Sequence, residues 1–348
     1  MLLIDALNIV SSGGKVLLDY LEQQLKAKGI EYVILGNELI QPQSNTKKKS
    51  RFSFGGLSLR RKLLQENIER LKPTTVFCFG NFPMPQRFRG DYRVITFFQN
   101  ALLLKSEGNH AFNLKEFLML QIKKFYLKNN LKNTDYFIVQ TSLIKKRFLQ
   151  QYKVSSDRCI VLPFYDEEKL INFRNSNVPT RISGTFIYPS SHQPHKNHKH
   201  LLDAWEYLLS NDLTPRLYLT LPKIKGTEAL FTKIESLNQR GAQIKNLGIV
   251  PSDVLFGWIQ KCQYVVYPSL EETIGLSLVE GVILGAKILV SEKPYYQPVV
   301  KPSLTFAPDD PMDIAKHVQY ALQNELPPSE VILHSKTPEL LDFLTHKI

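Results

Sequence analysis

The sequence predicts an α/β protein made of two doubly wound parallel-sheet domains, and three observations carry that prediction. Short apolar runs alternate with amphipathic helical stretches along nearly the whole chain, as βαβ units require. At 348 residues the chain exceeds one comfortable core, so two domains are expected. The stretch Pro268–Val290 reads as a unit on its own. The apolar strand YVVYP meets a loop with two carboxylates, then a helix from about Leu276 to Leu284 that stops at Gly285, then a second apolar strand from Lys287. Open sheets of this kind bind ligands at the carboxyl ends of their strands, where helix N–H groups face an anion.

The first strand, LLIDAL, leads through Ser11-Ser12-Gly13-Gly14 into a helix from about Lys15 to Lys28. Its residues Val16, Leu17, Leu18, Leu21 and Leu25 share one face. Gly13 and Gly14 serve either a tight turn or the close approach of a ligand. No Walker A or G-x-G-x-x-G pattern accompanies them, which argues against a dinucleotide dehydrogenase. After the strand YVILG comes a basic stretch with a helix from about Leu57 to Leu71. Lys47, Lys48, Lys49, Arg51, Arg60, Arg61 and Lys62 lie there among Phe52, Phe54, Leu57 and Leu59. This reads either as a contact with an anionic membrane surface or as a solvated loop and helix face.

Strands TVFCFG and RVITFF follow, the second ending at Gln99-Asn100; a helix from about Asn113 to Lys128 and the strand DYFIVQ then lead to the end of a first domain at residues 1–165. The polar stretch 166–182 reads as a linker. A second domain, 183–325, opens with GTFIYP and alternates RLYLTL, QIKNLG and QYVVYP with helices near His198–Ser210, Glu228–Gln239 and Asp253–Lys261. After the strand LTFAP a helix from about Pro311 to Gln323 closes it, and residues 326–348 form a tail with a last helix near Pro338–His346.

Composition narrows the function classes. Hydrophobic content of 43% and charged content of 22% are those of a soluble globular protein. No uncharged apolar run approaches the roughly 18 residues a membrane span needs, and MLLIDALNIVSSGG lacks the basic flank of a signal peptide. Cys78, Cys159 and Cys262 are scattered through apolar runs, as reduced, buried thiols of a cytoplasmic protein would be. Residues 1–164 hold 26 Lys+Arg against 12 Asp+Glu, and residues 165–348 hold 18 against 20. The net charge of +12 thus resides in the first half, which is expected to face an anionic surface. No nucleic-acid-binding module accompanies that charge.

Glu272 and Glu280 stand eight positions apart inside PS-x-x-E-x-x-G-L-x-x-x-E-x-x-x-x-G. This string resembles the E-x7-E signature of the retaining GT-B glycosyltransferases of family four, the glycosyltransferase group 1 type. The resemblance implies two Rossmann-like domains facing across a cleft, an acceptor-binding one and a nucleotide-sugar-binding one, with the last helix crossing back to the first. It assigns Glu272 to the transferred sugar or reacting centre and Glu280 to the ribose hydroxyls. Backbone N–H groups of Ile274, Gly275, Leu276 and Ser277 would receive the diphosphate. Lys196, within YPSSHQPHKNHKHLLDAW, matches the family's neutralising lysine, whereas the arginine expected five or six residues earlier falls at Ser190 or Ser191. Gly248, Ile249 and Val250 fall where the base is recognised. Gln99 and Asn100 stand where the family often places a histidine near the transferred sugar, and Gly13 and Gly14 complete the donor set.

Neither a cofactor nor a metal is expected. His192, His195, His198 and His200 lack an H-E-x-x-H context, and Asp309-Asp310 before Pro311 reads as a helix cap. The resemblance implies sugar transfer with retention to a lipid-linked or polysaccharide acceptor in bacterial surface polysaccharide synthesis, at the inner face of the membrane. A nucleotide-sugar epimerase and a non-catalytic sugar-nucleotide-binding relative remain as alternatives.

Overall fold

The computed structural model describes residues 1–9, 13–36, 54–105, 114–176 and 179–345. The chain divides into two compact units. One comprises Met1–Ser106, Asn113–Tyr165 and Ser335–Ile348, and the other is built on Asp166–His334.

The first unit holds a parallel sheet of β1 (Leu2–Asp5), β2 (Tyr32–Leu35), β3 (Thr75–Cys78), β4 (Arg93–Phe97), β5 (Tyr136–Val139) and β6 (Cys159–Val161), in the order β2-β1-β3-β4-β5-β6. β1 and β3 are buried at every position, as strands covered on both faces must be. Its helices are α1 (Gly13–Ala27), α2 (Phe54–Leu71), α3 (Leu114–Asn130) and α4 (Ser142–Tyr152). Thr141 caps α4 by accepting from the Ile144 N–H at 3.2 Å. Phe98, Phe137, Phe148 and Tyr152 fill the core under α3 and α4.

The second unit repeats the plan. Helix α5 (Glu167–Ser176) precedes β7 (Ile182–Tyr188), α6 (His198–Ser210), β8 (Arg216–Leu219), α7 (Glu228–Gln239), β9 (Ile244–Asn246), α8 (Ser252–Lys261) and β10 (Cys262–Tyr267). Then come α9 (Leu276–Ile283), β11 (Lys287–Ser291), β12 (Val300–Lys301), β13 (Leu304–Phe306), α10 (Pro311–Gln323) and β14 (Glu330–Val331). The parallel order is β13-β11-β10-β7-β8-β9, with β12 and β14 paired separately and antiparallel. Phe186 stacks on Tyr264 and meets the edge of Trp205 in its core. Helix α11 (Thr337–Thr345) groups with the first unit. There Arg93 donates to the Phe343 carbonyl at 3.0 Å and the Phe343 ring meets Tyr136 edge-on.

Both sheets carry a point where the winding reverses, between β1 and β3 in the first and between β7 and β10 in the second. In open α/β sheets such a point, outside the carboxyl ends of the strands, is where ligands bind.

Two expectations need correction. The stretch 166–182 is not simply a linker, because it holds α5 and the start of β7. Glu167 and Glu168 favour the amino end of that helix and Arg174 its carboxyl end. Leu170 is buried, and Phe173 packs edge-on against Phe256. Arg60 is not a surface residue. It is 2% exposed, pairs with Asp5 at 2.7 Å, and donates to Tyr126 Oη at 3.1 Å and the Phe82 carbonyl at 2.9 Å. A buried carboxylate at the end of β1 needs a charged partner, and position 60 lies on the inner face of α2. Arg61 and Lys62 are exposed, while Lys47, Lys48, Lys49 and Arg51 lie outside the described residues.

Candidate functional site

The constellation lies at the reversal point of the second sheet. Lys196 comes from the loop after β7 and Glu272 from the loop after β10. Backbone and side-chain hydrogen bonds join the two loops. The His195 carbonyl accepts from the Leu270 N–H at 2.7 Å. Asn197, in a left-handed conformation at φ 60°, donates from Nδ2 to the carbonyls of Pro268 at 3.2 Å and Pro308 at 2.8 Å. Asparagine tolerates that backbone, and its side chain then ties three loops together.

Lys196 Nζ lies 2.6 Å from Glu272 Oε1. The same oxygen accepts from Ser269 Oγ at 2.7 Å and Tyr267 Oη at 2.9 Å. Glu272 is only 9% exposed. Burial raises its affinity for a proton, but the Lys196 charge, with help from His195 and the hydrogen bonds, more than offsets this and holds the carboxyl below its ordinary value. Glu272 is therefore an anion fixed by three donors on one oxygen. Oε2 takes no hydrogen bond among the described residues.

Tyr188, Tyr267 and Tyr295 surround this pair. Tyr188 Oη donates to the Lys196 carbonyl at 2.8 Å, and Tyr295 Oη donates to the Ser269 carbonyl at 3.0 Å. Burial pushes all three phenols well up, so they act as neutral donors. His198 is pushed down to about 4 by burial and is neutral as well, with Nε2 2.7 Å from the Ser191 carbonyl.

Helix α9 begins at Gly275, whose φ of 66° is left-handed, and no side chain caps its first turn. A Cβ at Gly275 would sit 3.4 Å from Tyr267 Oη and 3.2 Å from Leu278 Cδ1. Glycine thus both permits the turn and lets the helix start close to the Glu272 network. Leu278 N–H is turned back to the Gly275 carbonyl at 2.8 Å, which leaves the N–H groups of Leu276 and Ser277 at the helix's positive end. Ser277 Oγ donates to the Pro189 carbonyl at 3.2 Å, fixing this end of α9 beside the end of β7. Gly281 allows α9 to lie on the sheet, since a Cβ there would meet Ile288 Cδ1 at 2.7 Å and Val265 Cγ2 at 2.9 Å.

Glu280 sits one turn further along α9, partly buried, with burial pushing its carboxyl up to about 7. Without a cation beside it among the described residues, it is a carboxyl suited to sharing protons with hydroxyl groups.

Of the residues expected from sequence, Lys196, Glu272, Ile274, Gly275, Leu276, Ser277 and Glu280 belong to this loop-and-helix assembly. Gly248, Ile249 and Val250 form the loop after β9, two strands from β7, with Gly248 at φ 69° and Ile249 exposed. Gly13, Gly14, Gln99 and Asn100 belong to the first unit. A Cβ on Gly14 would lie 3.4 Å from both polar atoms of Gln99. Gln99 is held by the Phe79 carbonyl at 3.0 Å and by Asn81 Oδ1, which accepts its N–H at 2.6 Å. Asn100 Oδ1 accepts from the Leu102 N–H at 3.1 Å and so caps a short helical turn. Sequence reasoning missed Tyr188, Tyr267, Ser269 and Tyr295. Serine and tyrosine at strand ends carried a signal only for Ser269, inside the motif string.

Burial pushes the Cys78 and Cys262 thiols up to about 12 and the Cys159 thiol up to about 11, which suits packing and not nucleophilic chemistry. No group of three or more metal-ligating side chains occurs among the described residues. Asp310 caps α10 by accepting from the Met312 N–H at 2.9 Å. A shallow hollow of about 540 Å³ lies at the amino ends of β7 and β8, lined by Ile182, Gly184, Pro215, Arg216 and Gln243. It is at the wrong edge of the sheet for a ligand site, and Arg216 is its one titratable lining group.

Two parallel Rossmann-like units of this kind define the GT-B fold, and solved structures agree. Sucrose-phosphate synthase from Thermosynechococcus elongatus superposes with a TM-score of 0.69 at 16% identity, over 93% of this chain and 89% of that one. Anabaena HepE in complex with UDP and glucose gives 0.60 at 13% identity, over 93% and 90%. The family model for glycosyl transferases group 1 matches residues 172–336, a span that takes in most of the second unit. An O-antigen chain mannosyltransferase B of Escherichia coli is 30% identical over 145 residues, or 41% of this chain. The match spans 38% of that relative's length.

Proposed function

We propose that the protein is a retaining glycosyltransferase that takes a sugar from a nucleoside-diphosphate donor and gives it to a lipid-linked or saccharide acceptor. The observation that carries this reading is the Lys196–Glu272 pair beside the uncapped start of α9 at the reversal point, with Glu280 on the same helix. The N–H groups of Leu276 and Ser277 and the Lys196 ammonium supply positive charge for a diphosphate, and that charge is worth most as the diphosphate leaves. Glu280 offers its carboxyl to the vicinal hydroxyls of the ribose. Glu272 is held by three donors on Oε1, which orients Oε2 for the transferred sugar.

HepE with bound UDP and glucose supports a nucleotide-sugar donor, and the E. coli O-antigen relative supports bacterial surface polysaccharide as the product class. Transfer needs no metal in this reading, because backbone dipoles and Lys196 meet the charge. The protein works in the cytoplasm, with its basic first half toward the inner face of the membrane.

Ser190 and Ser191, standing where the family carries an arginine, favour one second reading: a relative that binds the donor without transfer. Thermal shift against UDP-, GDP- and other nucleotide sugars, followed by assay of nucleoside diphosphate release, tests both. Donor binding with acceptor-dependent release is expected. Binding without release would favour the second reading, and no binding to any donor would overturn the proposal.

A further inference from the structure

Helix α3 carries apolar residues on two opposite sides, and among the described residues only one side is packed. Leu127 is buried, and Leu120 and Tyr126 rest on the Phe98–Phe137–Phe148 core. On the other side Leu114 is 74% exposed, Phe125 69%, Leu118 52% and Ile122 51%. At about 100° per residue these four share an arc of roughly 80°, and Phe117, 47% exposed, lies beyond one edge. Scattered exposed apolar residues are ordinary, but a continuous stripe along about three turns of one helix is not.

The charges beside the stripe say what covers it. Lys128 borders it on one side and Lys115 on the other, both exposed, and Lys132 is exposed just past the helix end. The only acid in the helix, Glu116, sits on the far side from the stripe. An apolar stripe flanked by lysines is how a helix lies in the plane of a bilayer interface, with its side chains among the acyl chains and its ammonium groups at anionic headgroups. A second copy of this chain would place like charges against one another, which disfavours self-association through this face.

We infer that α3 is the lipid-binding element of the first unit, docking in-plane on an anionic membrane through Leu114, Leu118, Ile122 and Phe125 with Lys115 and Lys128 at the headgroups. This gives the lipid-facing role to α3 and not to Arg60. It deepens the acceptor-side part of the proposed function, but its readout requires no sugar transfer.

The test is flotation of the full chain with phosphatidylcholine vesicles with or without phosphatidylglycerol, at low and high salt. Wild-type protein is expected to float with the anionic vesicles, less so at high salt. Leu118→Glu with Phe125→Glu should weaken partitioning by more than about tenfold, the loss of two apolar anchors. Because both side chains are exposed, the variant should keep the wild-type unfolding temperature and any donor-induced thermal shift. Lys115→Glu with Lys128→Glu should abolish the preference for anionic over neutral vesicles. No flotation at low salt, or equal flotation of the Leu118/Phe125 variant, would overturn the inference. So would a dimer in sedimentation velocity that the same variant converts to monomer without any vesicle binding. A protein that shifts with donor yet ignores vesicles would overturn this inference alone.

Discussion

At the scale of single residues the second unit holds two carboxyls in opposite environments. Glu272 is anionic because Lys196 outweighs its burial, whereas Glu280 is pushed up to about 7 by burial, with no cation beside it among the described residues. The consequences for stability have opposite signs. Glu280 binds its proton more tightly folded than unfolded, so its cost is absent below the ordinary carboxylate value, grows as pH rises toward 7, and then levels off. Glu280→Gln is therefore expected to be more stable than wild type at pH 8 by about 1–3 kcal/mol, with the gap narrowing toward pH 5, as measured by urea unfolding. Glu272, held low, adds stability above its ordinary value that is lost as pH falls through its folded value. Lys196→Met leaves that carboxylate buried without its cation, so the variant should lose stability as pH rises, at a cost of up to about 3–5 kcal/mol at neutral pH. In activity, Lys196→Ala should lower kcat by about 10²–10³, the scale of losing one charge stabiliser of a departing group. A variant with wild-type kcat would remove Lys196 from the mechanism.

At the scale of elements, α9 is a short helix that works because of two glycines. Gly275 provides the left-handed start, and Gly281 allows contact with β10 and β11. Gly281→Ala should cost about 1–3 kcal/mol by forcing α9 off Ile288 and Val265, visible as a lower denaturant midpoint with unchanged slope. An unchanged midpoint would mean that the sheet yields and the fit is loose. Much of this element was legible in advance, because glutamates, glycines and the proline-serine turn fall in one contiguous string. Helices His198–Ser210, Glu228–Gln239 and Pro311–Gln323 were equally legible, since each has a clean apolar face and defined ends. Helix α5 was not. Its stretch is polar, and the aromatic contact that steadies it, Phe173 on Phe256, comes from far along the chain. The tyrosines around Glu272 escaped for the same reason, being delivered by β7, β10 and the turn after β11. Arg60 misled because basic neighbours at 61 and 62 hid the helical period that turns position 60 inward to Asp5.

At the scale of the molecule, the reversal of winding in the second sheet explains why Lys196 and Glu272, 76 positions apart, meet at 2.6 Å. The first sheet has its own reversal between β1 and β3, where Asn8 and Gly80 approach so closely that a Cβ on Gly80 would lie 2.9 Å from Asn8 Cβ. Gly14 and Gln99 come together at the same edge, so both units present polar loops at the carboxyl ends of their strands. The proposed role of the second unit is to hold a nucleoside-diphosphate sugar at its reversal point. Thermal unfolding of wild type and of Glu280→Ala across a panel of nucleotide sugars tests this directly. A true donor at a hundredfold excess over its Kd should stabilise wild type by about 2.7 kcal/mol, and Glu280→Ala should lose most of that shift. No shift with any nucleotide sugar, or an equal shift in both proteins, would contradict it.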